Sequence, residues 1–141
     1  MAQSPEKTLL HRWFEEVWNQ GNESAIDELM AEDAVFHGID APDGSAIRGP
    51  AGFKALFHHF RAAFPDIRIT VEDAVVDGDR IAVRCTVTAT HTGPGLTATP
   101  THRPANFTGM CFARIKDGKL VEGWNNFDFL AMYQQLGMQL S

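Results

Sequence analysis

Residues 117–128, DGKLVEGWNNFD, hold the side chains best suited to chemistry. Asp117-Gly118 is a turn signal of the kind that closes a two-residue hairpin, so the run after it reads as a strand. Side chains alternate between the two faces of a strand. Strict alternation puts Leu120, Glu122, Trp124, Asn126 and Asp128 on one face, and Lys119, Val121, Gly123, Asn125 and Phe127 on the other. A solvent face has little use for Trp, and an ordinary core has none for Asp. A mostly apolar cavity with one or two polar groups uses both. Asp128 is therefore the candidate acid or base, since a carboxylate beside Trp124 loses hydration and becomes a stronger base once ionised. Asn126, on the same face, is a second polar candidate. Asp128 also directly precedes a helical segment, and Asp is a favoured N-cap; the two roles are compatible.

Other polar candidates are scattered. His37 follows the apolar pair Val35-Phe36 at the end of a short strand and faces either a cavity or solvent. Arg84 lies in a run whose alternation separates an apolar face (Ile81, Val83, Cys85, Val87, Ala89) from a small polar one (Ala82, Arg84, Thr86, Thr88, Thr90). If the polar face meets a cavity, Arg84 needs a carboxylate partner; if it meets solvent, it is an ordinary surface cation. His58 and His59 are adjacent, so on a helix they point about 100° apart. They cannot converge on a metal as an i, i+4 pair would, and both read as partly exposed.

These groups must be positioned by one domain. The chain has 141 residues, enough to bury roughly 70% of its unfolded surface. A hydrophobic content of 44% and a net charge of −6 without a basic cluster argue against nucleic acid and anionic membranes as partners. No apolar run approaches the ~20 residues of a membrane span. The first six residues lack the charged and apolar regions of a secretion signal, which points to the cytoplasm. Cys85 and Cys111 fall in predicted strands and read as reduced, buried small hydrophobes. No metal-binding motif is present.

In chain order, Ser4-Pro5 starts a helix that carries Leu9, Leu10, Trp13, Phe14 and Val17 at helical spacing and ends at Gly21. Trp13 is core or pocket wall. Trp18, five positions on, leaves that stripe and belongs at the edge. A short helix over 22–30 and a strand over 34–37 follow, then a loop to Gly49. The helix of residues 50–64 presents Phe53, Leu56, Phe57, Phe60 and Phe64, with Phe57 and Phe60 candidates for a cavity wall. Strands are predicted over 67–76, 80–92 and 106–115, with a flexible loop over 93–104, and a terminal helix over 129–136. Helices early and strands late define an α+β domain. Twisted antiparallel strands curve, and a curved sheet wrapped around the Phe-rich helix leaves a conical cavity.

With those stretches in hand, the chain resembles the SnoaL-like polyketide cyclase (ester cyclase) group of the NTF2-like, cone-shaped superfamily. The resemblance is carried by FEEVWNQGN at 14–22, AAFPDIRITVEDAVVDGDRIAVR at 62–84, THTGP at 90–94, DGKLVEGWNNFD at 117–128 and QQLG at 134–137. Ala89 departs from the usual Gly before Thr-His, and Pro100-Thr101-His102 from the usual Pro-Thr-Gly. The resemblance implies a cofactor-free intramolecular aldol closure, in which an Asp, here Asp128, removes a proton beside a carbonyl and Asn126 or a His donates to the developing enolate oxygen. It marks His37, Arg84 and His91 as pocket positions, a small apolar carbonyl compound as ligand, and a homodimer or higher homo-oligomer packed sheet on sheet. A non-catalytic binding or association module is the alternative. An epoxide hydrolase of the limonene type would use Arg84 and Asp128 but lacks a second carboxylate. A steroid-isomerase-like site wants a cavity Tyr, and Tyr133 stands on the terminal helix.

Overall fold

The computed structural model describes residues 7–138. The predicted start at Ser4-Pro5 lies outside them. Helix α1 (Leu9–Arg12) begins at Thr8, whose hydroxyl accepts from the His11 amide while the His11 ring accepts from the Thr8 amide. This reciprocal box satisfies two amides that have no partner inside the helix. The chain then widens into a π-helical segment, Trp13–Asn19. In a π turn the bonds run from i to i+5, as in Gln20 N to Glu15 O at 2.9 Å. Residues five apart come into line. Trp18 is therefore buried beside Trp13, both against Phe53 at centroid distances of 5.8 and 4.8 Å. The edge position expected for Trp18 assumed an α-helical pitch.

After α2 (Ser24–Leu29) come β1 (Met30–Asp40), β2 (Ala46–Arg48), α3 (Gly49–Ala63), β3 (Arg68–Asp77), β4 (Arg80–Thr90), β5 (Pro104–Lys116), β6 (Lys119–Phe127) and α4 (Phe129–Gln135). The strands form one sheet in the order β2-β1-β6-β5-β4-β3. β1 runs parallel to β6, and every other pair is antiparallel. The early strand is much longer than expected, and the loop before Gly49 contains a sixth strand. At the β5–β6 turn Asp117 and Gly118 both have positive φ, as a type I′ turn requires.

Bulges interrupt β1, β3 and the β5–β6 ladder, and each bends and twists its strand. The apolar face of β4 points inward, with Ile81, Val83, Cys85, Val87 and Ala89 all buried. The concave side holds α3 and the helical N-terminal segment, which Asn19 ties to the edge strand. Its amide donates to Ile69 O and accepts from Ile69 N, at 2.9 and 2.6 Å. No helix among the described residues is long and apolar enough to cross a membrane.

Candidate active site

Between α3, the N-terminal helices and the concave sheet lies a cavity of about 410 Å³. Its walls are aromatic: Trp13 and Trp18 from the π segment, Phe53 and Phe60 from α3, Phe36 and Phe107 from the sheet. Four polar residues interrupt this lining: Asp40 at the end of β1, His59 on α3, Asn125 on β6 and Tyr133 on α4. That is the composition of a small-molecule site, with apolar bulk and a few groups to fix orientation.

The face of β6 that looks inward is not the expected one. Gly123, Asn125 and Phe127 face the cavity side; Trp124, Asn126 and Asp128 are exposed. The cause is one residue. Leu120 is buried and pairs with Ile115, but Glu122 pairs with Arg114, so Val121 is an extra residue on β6. A bulge shifts the phase of alternation, and a shift of one sends every later side chain to the opposite face. Strict alternation from Leu120 therefore predicted the wrong side for all residues beyond it. On the correct face Gly109 opposes Phe127; a Cβ at Gly109 would lie 2.2 Å from the Phe127 ring, which packs over the bare backbone.

The remaining candidates separate. Trp13 and Phe60 line the cavity, whereas Phe57 lies behind the lining, against Trp18 at 5.8 Å. Asp128 accepts from Ala131 N at 3.0 Å as the N-cap of α4. With Arg84 and Asn126 it borders a separate outer hollow of about 440 Å³. Arg84 is exposed because the polar face of β4 is the outer one. His37 is also outside, stacked on Trp124 at 5.3 Å and paired with Glu122 at 2.8 Å. This hydrogen bond, and then that from Arg114, holds the Glu122 carboxyl below its ordinary value. His91 is fully buried but outside the cavity lining. Its Nδ1 accepts from Thr101 N at 3.2 Å and its Nε2 reaches Gly95 O at 2.8 Å, so one ring pins the 91–103 loop at two points. That loop delivers Leu96, at φ +69°, to the cavity wall.

The polar residues that do line the cavity left weaker signals. His59 stands three positions after Leu56 and so borders the apolar stripe of α3, while His58 points out and pairs with Glu23 at 3.1 Å. Tyr133 stands four after Phe129, on the same helical face. Its place on the terminal helix does not keep Tyr133 out of the cavity lining. Among the described residues no group of three or more His, Cys, Asp and Glu side chains is arranged to hold a metal.

The family model for SnoaL-like polyketide cyclase matches residues 8–136. IdmH of Streptomyces antibioticus is 34% identical, with a TM-score of 0.78 over 92% of this chain and 96% of its own. A SnoaL-like protein of Jannaschia sp. CCS1, 23% identical, superposes with a TM-score of 0.80 over 99% of both chains and shows the fold. So does a Catenulispora acidiphila protein of ketosteroid isomerase-like fold, 17% identical, with a TM-score of 0.75 over 97% of this chain and 96% of that one. No curated protein is detectably similar.

Proposed function

Because this chain belongs to the SnoaL-like polyketide cyclase family, we propose that its cavity binds a small apolar compound with two carbonyl groups and closes it by an intramolecular aldol step without a cofactor. The observation that carries this is a titratable group inside an aromatic cavity: the half-buried His59 ring, which makes no hydrogen bond within the described residues. An imidazole can both take and give a proton. In the proposed step it removes a proton beside one carbonyl. The enolate carbon then forms a bond to the second carbonyl carbon, and the resulting alkoxide takes the proton back from imidazolium. Asp40 lies at the mouth, exposed to water, where solvation blunts a carboxylate as a base. Asp128, spent on the cap of α4, positions Phe129 and Tyr133 in this reading and does not act as the base. The outer placement of Arg84 and Asp128 gives a hydrolase relay no support.

The test uses 2-tetralone, whose benzylic α-protons exchange with deuterium in a way NMR follows directly. Wild type is expected to speed the exchange, and His59→Gln to slow it by about 10²-fold or more, with Asp40→Asn near wild type. Loss of activity in Asp40→Asn alone would move the base to the mouth. A wild type that binds the ketone without speeding exchange would favour the binding-module reading.

The same reading includes a homodimer. A row of outward residues crosses the sheet from Val75 through Ala82 and Phe112 to Trp124 and His37. Exposed apolar rows of this kind are where sheets pair around a two-fold axis.

A further inference from the structure

Asn125 is the one polar side chain that the sheet wall presents to the cavity from β6, and its amide is held at both ends. The carbonyl of His37 can only accept, so the group 3.0 Å from it is the amide nitrogen. The Cys111 thiol, 3.3 Å away, donates to Oδ1. These partners leave no ambiguity in which way the amide points. The backbone makes the arrangement feasible. The β1–β6 ladder ends at His37 and Trp124, and at Gly38 (φ +84°) a Cβ would lie 1.9 Å from the Asn125 carbonyl oxygen. Only glycine lets β1 come near enough for His37 O to meet the side chain of Asn125. Cys111 is buried on the inner face, directly across the ladder from Asn125. Burial, then the neighbouring Cys85, pushes its thiol well above the ordinary value, so it stays protonated and donating. One N–H of Asn125 is thus spent on His37 O, and the other finds no acceptor among the described residues.

We propose that this second N–H is the enolate-oxygen donor of the cavity and that Cys111 is the positioning residue that aims it. The inference rests on the cavity's reading as an enolate site, but not on His59 as the base. A donor fixed before the ligand arrives needs no reorganisation when charge develops on the ligand oxygen, and this is where such donors gain their effect. An amide offers no base, so its natural ligand atom is an anionic or strongly polarised oxygen: a phenolate, a dienolate, or the carbonyl about to become one. Held between β1 and β5 on the sheet wall, it lines the same cavity as His59 on α3, so both can reach one ligand.

The test separates binding of charge from binding of shape. The probes are 2-naphthol, whose ionised form mimics a bicyclic enolate and is read by its own absorbance, and naphthalene, its neutral counterpart. Wild type should favour bound naphtholate. Asn125→Leu should lose that preference by about tenfold or more, the size of a hydrogen bond to a charged group, and keep naphthalene affinity. Asn125→Asp, which places a carboxylate at the same point, should reject naphtholate outright, and serves if the leucine variant folds poorly. Cys111→Ser keeps a donor and should stay within about threefold of wild type, whereas Cys111→Ala should lose most of the preference with naphthalene binding unchanged. A naphtholate preference that survives in Asn125→Leu or Asn125→Asp would overturn the assignment, as would a wild type that binds naphthalene with no preference for naphtholate. If the preference holds while His59→Gln leaves tetralone exchange intact, the donor stands and the proposed base falls.

Discussion

At position 128 the carboxylate is spent on the backbone. It accepts from Ala131 N while its own amide donates to Thr108 O, so one residue closes the end of the sheet and opens α4. Asparagine can accept in the same place and alanine cannot. Asp128→Asn is therefore expected to match wild type in tetralone exchange and in urea unfolding, and Asp128→Ala to lose about 1 kcal/mol of stability. A collapse of exchange in Asp128→Asn would return the base to Asp128. The two thiols make a second residue-scale prediction. Burial pushes Cys85 up to about 12 and raises Cys111 likewise, so both hold their protons more tightly in the folded chain. The stability this adds is whole below the ordinary thiol value and is lost as pH rises through the raised ones. Urea midpoints should fall above about pH 9, and less steeply in Cys111→Ser, which has one thiol fewer to ionise. An equal slope in wild type and variant would rule the thiol out as the cause.

Among the elements, the 91–103 loop depends most on a single side chain. Its backbone pairs at the neck, His91 N to Arg103 O and His102 N to His91 O, and meets α3 once, Gly93 N to Ala63 O; the imidazole adds the side-chain anchors at Gly95 and Thr101. His91→Leu fills the space but leaves both partners without theirs, a loss of about 2 kcal/mol or more. Faster hydrogen exchange at the amides of residues 95–101 than in the β4–β5 ladder would show the loop released alone; uniform exchange throughout would show His91 serving the whole core instead. The role of His91 could not be read from the sequence, because its partners lie in a loop without periodicity. What could be read was whatever repeats. The Phe stripe of α3 and the Asp117-Gly118 hairpin declared themselves through spacing and turn chemistry. The features that broke a period were hidden: the π turn that brought Trp18 inward, and the extra Val121 that turned β6 over. Neither leaves a mark in residue type, and the second turned Trp124, Asn126 and Asp128, the heart of the sequence-based site, away from the cavity. The cavity was foreseen, but of its polar lining none of Asp40, His59, Asn125 and Tyr133 was.

At the scale of the molecule the sheet has two unequal faces. The concave one is covered by α3 and the N-terminal helices; the convex one is bare and carries Met110 at 62% and Val75 at 63% exposure beside Phe112 and Trp124. Around this apolar row stand His37, Glu122 and Arg114, already paired with one another, so they can be covered without leaving a lone charge. A two-fold axis through the row would join two copies while both cavities stay open, since Phe112, Met110 and Trp124 take no part in the cavity lining. Each copy brings a formal charge of −6, which opposes association at long range and is screened within about 10 Å at 0.1 M salt. Apolar contact driving assembly against like charge gives a definite salt dependence: the proposed dimer should tighten as ionic strength rises. Sedimentation of wild type across a salt series should show this, and Phe112→Lys should sediment as a monomer of 15.6 kDa with 2-naphthol affinity within about twofold of wild type. A dimer that loosens with salt would mean that charge pairs hold it. A Phe112→Lys dimer would mean that the contact lies elsewhere than on the convex face.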